Sequence, residues 1–250
     1  MINSLLKKWI LIPLLCIVIN ICSFVSPASA IRLAYVEFPP YEGYVDGEPK
    51  GILIDIVTMA FEQAGIPLEL RPFARAVIEV ESGSLDGLFN FYKTEKRLLH
   101  FDYSAPIIKN PLVLWVCKES SFRKFESLDD LKDLKVGLMR GYTYGMAFNH
   151  HEHIAREFAD SHKSNFSKLL FKRIDTYACD YSVGIYTAQK MGILNQLRTL
   201  PTPLIMMEGH IGFTKGKHQD VIRKINIQIK KLQESGTIND IIDKHLGELF

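Results

Sequence analysis

The chain has 250 residues, 47% of them hydrophobic, with 30 basic and 28 acidic side chains. That apolar share, uninterrupted by any low-complexity tract, suffices to bury a core and excludes a disordered or fibrous protein. The near balance of charge excludes a nucleic-acid binder, whose phosphate partner demands a basic face.

The first thirty residues read as a leader. Lys7 and Lys8 precede the uncharged run "WILIPLLCIVINICSFV", and "SPASA" ends in Ala28-Ser29-Ala30, the small-x-small signature of signal-peptidase cleavage. The run, about 17 residues, is at the short limit for a membrane span, so an uncleaved anchor is the alternative. A lipoprotein is disfavoured because bulky Ile21 precedes Cys22. Cleavage after Ala30 leaves Ile31 to Phe250 with 28 basic and 28 acidic residues, formally neutral, and no second run long enough to span a membrane. The product is expected in the periplasm. Cys117 and Cys179 sit in the strand-like runs "LVLWVCKE" and "DTYACDYS", which predicts buried free thiols, with a disulfide as the alternative.

Strands and helices then alternate. "IRLAYVEF" (31–38) predicts a buried strand, broken at Pro39-Pro40 and followed by a loop with Gly43, Gly47 and Pro49. "GILIDIVTMAFEQAG" (51–65) predicts a helix with Ile54, Val57, Phe61 and Ala64 on one stripe and Gly65 past its end. "PLELRPF", "ARAVIEVESG" and "DGLFNF" continue as strand, helix and strand, a βαβαβ pattern that implies parallel pairing. A second unit follows: a short helix capped by Ser127 (127–134), the strand "KVGLMRG", the helix "SKLLFKRI", the strand "DTYACDYS" and the helix "VGIYTAQKMG". The tail holds a long amphipathic helix carrying Val221, Ile225, Ile229 and Leu232, stopped by Gly236, and then a shorter helix. Two consecutive α/β units predict two small lobes with a cleft between. Open α/β sheets place ligands beyond the carboxyl ends of their strands, where Asn90, Tyr92, Thr143 and Asp180 fall.

Five segments, in this order, resemble the amino-acid-type extracellular solute-binding proteins, family 3, of ABC transport systems. They are "GILIDIVTMAFEQAG", "SGSLDGLFNFYKTEKRLLHFDYSAPI", "LKDLKVGLMRGYTYG", "RIDTYACDYSVGIYTAQKMG" and "LQESGTINDIIDKHLG". The resemblance implies an α/β, two-lobe periplasmic-binding-protein (type II, Venus flytrap) fold with two crossover hinge segments, near Ile107–Leu112 and Pro203–Met207. Its lobes would be residues 31–111 with 205–250, and residues 112–204, after a signal peptide at 1–30. It further implies that Arg97 grips a ligand carboxylate. The chemistry agrees, since a guanidinium offers two parallel donors that lysine cannot copy. Thr94 can cap the short helix that carries Arg97, and a surface pairing of Arg97 with Glu95 or Asp102 is the alternative. Asp180 matches the residue that receives the ligand's ammonium, with helix capping as a second, compatible role. Thr143 matches a second-lobe carboxylate contact, and Phe38 an aromatic that stacks on the ligand's side chain.

Departures from the family pattern limit the ligand. Tyr35 stands where the first strand often ends in an aspartate, and Glu37, two residues on, is a substitute on the same strand face. The stretch from Asp86 to Arg97 is one residue short, with Asn90, Phe91 and Tyr92 replacing small hydroxyl residues. Arg75 is a candidate for a second anion on the ligand, against the plainer reading of a solvated arginine in a helix's first turn.

"NHHEH" gathers His150, His151 and His153, but His151 and His153 do not share a helix face, so no metal is expected. The sequence shows no G-x-S-x-G elbow, H-E-x-x-H helix or phosphate loop, and no enzyme or cofactor is expected. The expectation is a monomeric periplasmic protein that captures a small polar carboxylate, an amino acid above all, by lobe closure, and delivers it to an ABC permease in the inner membrane. The alternatives are a sensing role toward a receptor and a cyclohexadienyl-dehydratase-like enzyme on the same fold.

Overall fold

Strand β1 (Ile31–Tyr35) is buried along almost its whole length, which is why its sequence reads as a near-continuous apolar run. It belongs to a computed structural model that describes residues 30–72, 75–142 and 144–247. Residues 1–29 of the expected leader (1–30) and Thr143 lie outside the described residues.

After Pro39-Pro40 the chain forms a hairpin of β2 (Gly43–Val45) and β3 (Glu48–Lys50), where the sequence reading expected a loop. Its physical cause is Asp46-Gly47, both at positive φ (53° and 86°), the dipeptide and geometry of a two-residue hairpin turn. Helix α1 (Ile52–Gln63) follows, burying Ile54, Val57 and Phe61 as expected and also Ile52, Leu53, Ile56 and Ala60. Its first N–H groups find backbone partners in place of a side-chain cap: Ile52 N donates to the Pro40 carbonyl (3.0 Å) and Leu53 N to the Tyr41 carbonyl (2.8 Å). Gly51, at φ 148°, makes this close approach feasible, since a Cβ there would stand 2.4 Å from the Tyr41 oxygen. The loop bearing Tyr41 is thus pinned to the start of α1.

The first lobe continues with β4 (Leu68–Pro72), α2 (Ala76–Ser82), β5 (Gly87–Phe91), α3 (Glu95–Leu98) and β6 (Phe101–Tyr103). Strands β4 and β5 flank β1, both parallel to it, as the βαβαβ pattern predicts. Strand β7 (Ile108–Cys117) leads into the second lobe. A 3₁₀ turn at Leu128–Leu131 is closed by a reciprocal capping box between Ser127 and Asp130. Then come β8 (Lys135–Met139), α4 (Met146–Asn149), β9 (Ala155–Ala159), α5 (His162–Leu170), β10 (Thr176–Asp180), α6 (Tyr181–Lys190) and β11 (Leu197–Thr199). Helix α5 begins five residues before the predicted "SKLLFKRI", because Ser161 caps it by accepting from Ser164 N (3.1 Å). It ends early, before Lys172 takes φ 56°. Helix α6 lies hard against β7, where a Cβ on Gly184 would come 2.4 Å from the Trp115 indole.

Strand β12 (Ile205–Thr214) returns to the first lobe. Ile205–Gly209 pair antiparallel with Ile108–Leu112 of β7, while the far half of β12 joins β5 and β6 and the far half of β7 joins β10 and β11. These two long strands carry the chain's crossings between lobes, so one strand order, β4-β1-β5-β12-β7-β10-β8-β9, runs through both. Helices α7 (Gln219–Glu234) and α8 (Thr237–Gly247) close the first lobe. Helix α7 buries Ile222, Ile225, Ile229 and Leu232, and His245 of α8 bonds Asp55 of α1 at 2.7 Å. Among the described residues no helix is long and apolar enough to cross a membrane. Cys117 and Cys179 are both free thiols, the first half-buried and the second buried.

Candidate functional site

The carboxyl ends of β5, β8 and β10 face one another across the lobes and enclose a cavity of about 400 Å³. Arg97, Asp180, Asn90, Tyr92 and Phe38 all line it. Residues from three separate strand ends therefore meet in one place.

Arg97 is held locally. Thr94 caps α3 by accepting from the Arg97 backbone N–H (3.2 Å), which fixes the turn that carries the guanidinium. Nη1 then donates to the Tyr92 carbonyl (2.9 Å), and the guanidinium stacks 4.1 Å from the Phe91 ring centroid. Glu95 and Asp102, the surface partners considered for it, do not take it; Asp102 instead pairs with Lys215 at 3.0 Å. Among the described residues Arg97 makes no salt bridge.

Asp180 is held from a distance. Its Oδ1 accepts from Val183 N (3.0 Å), so it caps α6, and also from the Tyr41 hydroxyl (2.8 Å). Tyr41 is 1% exposed and belongs to the first-lobe loop pinned by α1, so this bond joins the lobes. Burial raises the Asp180 carboxyl to about 6, opposed by those hydrogen bonds, which favour the ionised form.

Asn90, the penultimate residue of β5, takes φ 55°, a left-handed conformation that asparagine tolerates better than most residues. Its Nδ2 donates to Glu42 Oε1 (3.3 Å), and Glu42 also accepts from Val36 N (3.3 Å). Glu42 is 1% exposed, and burial pushes its carboxyl up to about 8. Tyr92 accepts at its hydroxyl from Asn110 Nδ2 (3.3 Å).

Three other candidates lie outside the cavity wall. Tyr35 is buried in the first lobe with its ring against Tyr44 and Phe89 (5.4 and 6.5 Å). Glu37 does not share a strand face with Tyr35, because β1 ends at Tyr35. It lies over Gly43 and lines a neighbouring crevice. Arg75 is exposed at the start of α2.

The sequence reading missed Tyr41 and Glu42, whose partners lie up to 139 residues away, and most of the second-lobe wall. That wall includes Met139, Tyr142, His162, Tyr177 and Cys179. His162 Nδ1 lies 2.6 Å from the Tyr177 hydroxyl and 3.5 Å from Cys179 Sγ, and burial lowers its affinity for a proton. Their apolar setting gave no signal beyond ordinary core packing. The 150–153 histidines do not converge: His150 bonds the Met146 carbonyl (2.9 Å) and His151 faces Asp129 (3.3 Å). Among the described residues no three His, Cys, Asp or Glu side chains group to hold a metal.

Comparison with known proteins bears on the family and the fold. Residues 31–248 match the family described as bacterial extracellular solute-binding proteins, family 3. The chain is 21% identical over 221 residues to the L-cystine-binding protein TcyJ of Escherichia coli K12, covering 84% of this chain and 79% of that protein. Among solved structures, substrate-binding domain 2 of Lactococcus lactis GlnP is similar at a TM-score of 0.71 and 22% identity, covering 89% of this chain and 97% of that one. The GluR0 ligand-binding core in complex with L-glutamate is similar at a TM-score of 0.70 and 19% identity, covering 88% and 99%.

Proposed function

We propose that this chain, which belongs to the bacterial extracellular solute-binding proteins, family 3, captures an amino acid by closing its two lobes around it for ABC-type uptake. The leader at 1–30 directs it to the periplasm, and the lobes are residues 31–111 with 205–250, and 112–204. It acts there as a monomer that presents its ligand to a permease. The relative named for L-cystine binding supports the amino-acid class.

The observation that carries the proposal is a single cavity holding one guanidinium and one carboxylate from opposite lobes, Arg97 and Asp180. An α-amino acid presents the complementary pair. Its carboxylate meets Arg97, its ammonium meets Asp180, and bridging the two favours the closed form. Each charge-assisted contact contributes about 1.5–3 kcal/mol. Phe38 packs against the ligand's side chain.

Calorimetric titration of residues 31–250 with the common L-amino acids tests this. The Arg97→Ala variant is expected to keep its fold and lose about ten- to a hundredfold in affinity for the best ligand. An unchanged dissociation constant overturns the role of Arg97.

A further inference from the structure

The wall that receives the rest of the ligand is defined by its charges. Of the sixteen residues lining the cavity, Arg97 and Asp180 are the ones that carry full charge, and an amino acid's own carboxylate and ammonium occupy both. The other titratable groups there are neutral. Burial keeps the Cys179 thiol and the hydroxyls of Tyr92, Tyr142, Tyr144 and Tyr177 protonated. Burial also lowers the proton affinity of His162, whose Nδ1 is engaged by the Tyr177 hydroxyl at 2.6 Å. A charged side chain confined to this space would therefore lack a counter-ion, a costly transfer from water, because the charged groups of the adjoining pocket, Glu37, Asp160, Lys163 and Lys190, lie beyond the shared wall of Phe38, Met139, Tyr142 and His162.

The same wall is rich in sulfur-bearing and aromatic residues: Met139, Met207 and Cys179 line it together with Phe38, Tyr142 and Tyr177. Sulfur and aromatic groups attract one another and any polarisable partner placed between them. On the amino-acid reading above, on which this step rests, we propose that the cleft selects α-amino acids whose side chain is uncharged and polarisable, either aromatic or sulfur-bearing.

Wild-type protein (residues 31–250) titrated with L-methionine, S-methyl-L-cysteine and L-phenylalanine, and separately with L-lysine, L-arginine, L-glutamate and L-aspartate, decides this. At least one of the first three is expected to bind about a hundredfold more tightly than every one of the last four. A charged amino acid binding as tightly as the best neutral one overturns the selection while leaving the amino-acid function standing. If none of the common L-amino acids binds, the function proposed above falls, and this inference falls with it.

Discussion

The cleft brings together two charged corners built in opposite ways. At the first-lobe corner every contact that shapes Arg97 comes from within six residues of it: the Thr94 cap, the Tyr92 carbonyl and the Phe91 ring. At the second-lobe corner Asp180 has a local cap in Val183, but its other hydrogen bond comes from Tyr41, 139 residues earlier in the chain. The local corner holds a group that stays cationic at any physiological pH. The distant corner holds a group whose charge depends on how deeply the fold buries it, and burial has moved that carboxyl to about 6. A cation of this kind needs only placement, whereas the carboxylate needs placement and a hydrogen-bond donor to keep it ionised.

The sharpest way to break this contrast is to remove the charge at the distant corner alone. Asp180→Asn is expected to weaken amino-acid binding at pH 7.5 by about ten- to a hundredfold, while a des-amino analogue loses less than about threefold. Equal losses for both ligands, measured by calorimetry, would contradict an ammonium contact.

Acidity offers the next largest effect. A carboxyl at about 6 is ionised above that value and protonated below it, so affinity for an amino acid should be full near pH 7.5 and fall as pH drops through 6. The fall approaches tenfold per pH unit at lower pH, about one proton per ligand. The Tyr41 hydroxyl favours the ionised form, so in Tyr41→Phe the midpoint should move upward. A midpoint that stays in place would mean that the bond between lobes does not tune Asp180.

The smallest expected effect concerns stability. Glu42 has its carboxyl raised from 4.5 to about 8 by burial. The folded form thus holds this proton more tightly than the unfolded chain does. Its favourable contribution is fully present below 4.5 and is lost as pH rises through 8. Glu42→Gln removes the ionisation but keeps one acceptor oxygen, whereas Val36 N and Asn90 Nδ2 bond different carboxylate oxygens in the wild type. Its melting temperature relative to the wild type should therefore rise by about 5 °C from pH 4 to pH 9. A constant difference across that range would sink the assignment.

Much of the architecture was legible because it rests on local rules. Periodicity placed α1, α7 and the strands β1, β5, β8 and β10 near their observed bounds. The alternation of elements implied parallel pairing on either side of a cleft, as β4-β1-β5 and β10-β8-β9 show. The β2–β3 hairpin carried its own signal in Asp46-Gly47, overlooked among the surrounding loop residues. Helix α5 was placed late because its polar first turn, beginning at the Ser161 cap, lacks an apolar stripe.

The site divided along the same line. Residues at strand ends were legible, since Asn90, Tyr92 and Asp180 follow apolar runs that fix where a strand stops, while Arg97 was singled out by the family resemblance. Glu37 was expected on a strand face that the chain leaves at Tyr35, where the next backbone N–H, of Val36, donates to the Glu42 carboxylate (3.3 Å).

The sequence by itself determined the alternating α/β elements and the arginine on a short capped helix, because each follows from contacts between near neighbours in the chain, while the crossings between lobes came from the family resemblance. Only the tertiary structure decided that Tyr41 reaches Asp180, that Glu42 lies buried beside Asn90, and that sulfur and aromatic groups wall the cavity. Desolvation and hydrogen bonds between lobes arise only after distant segments meet, so no local pattern records them.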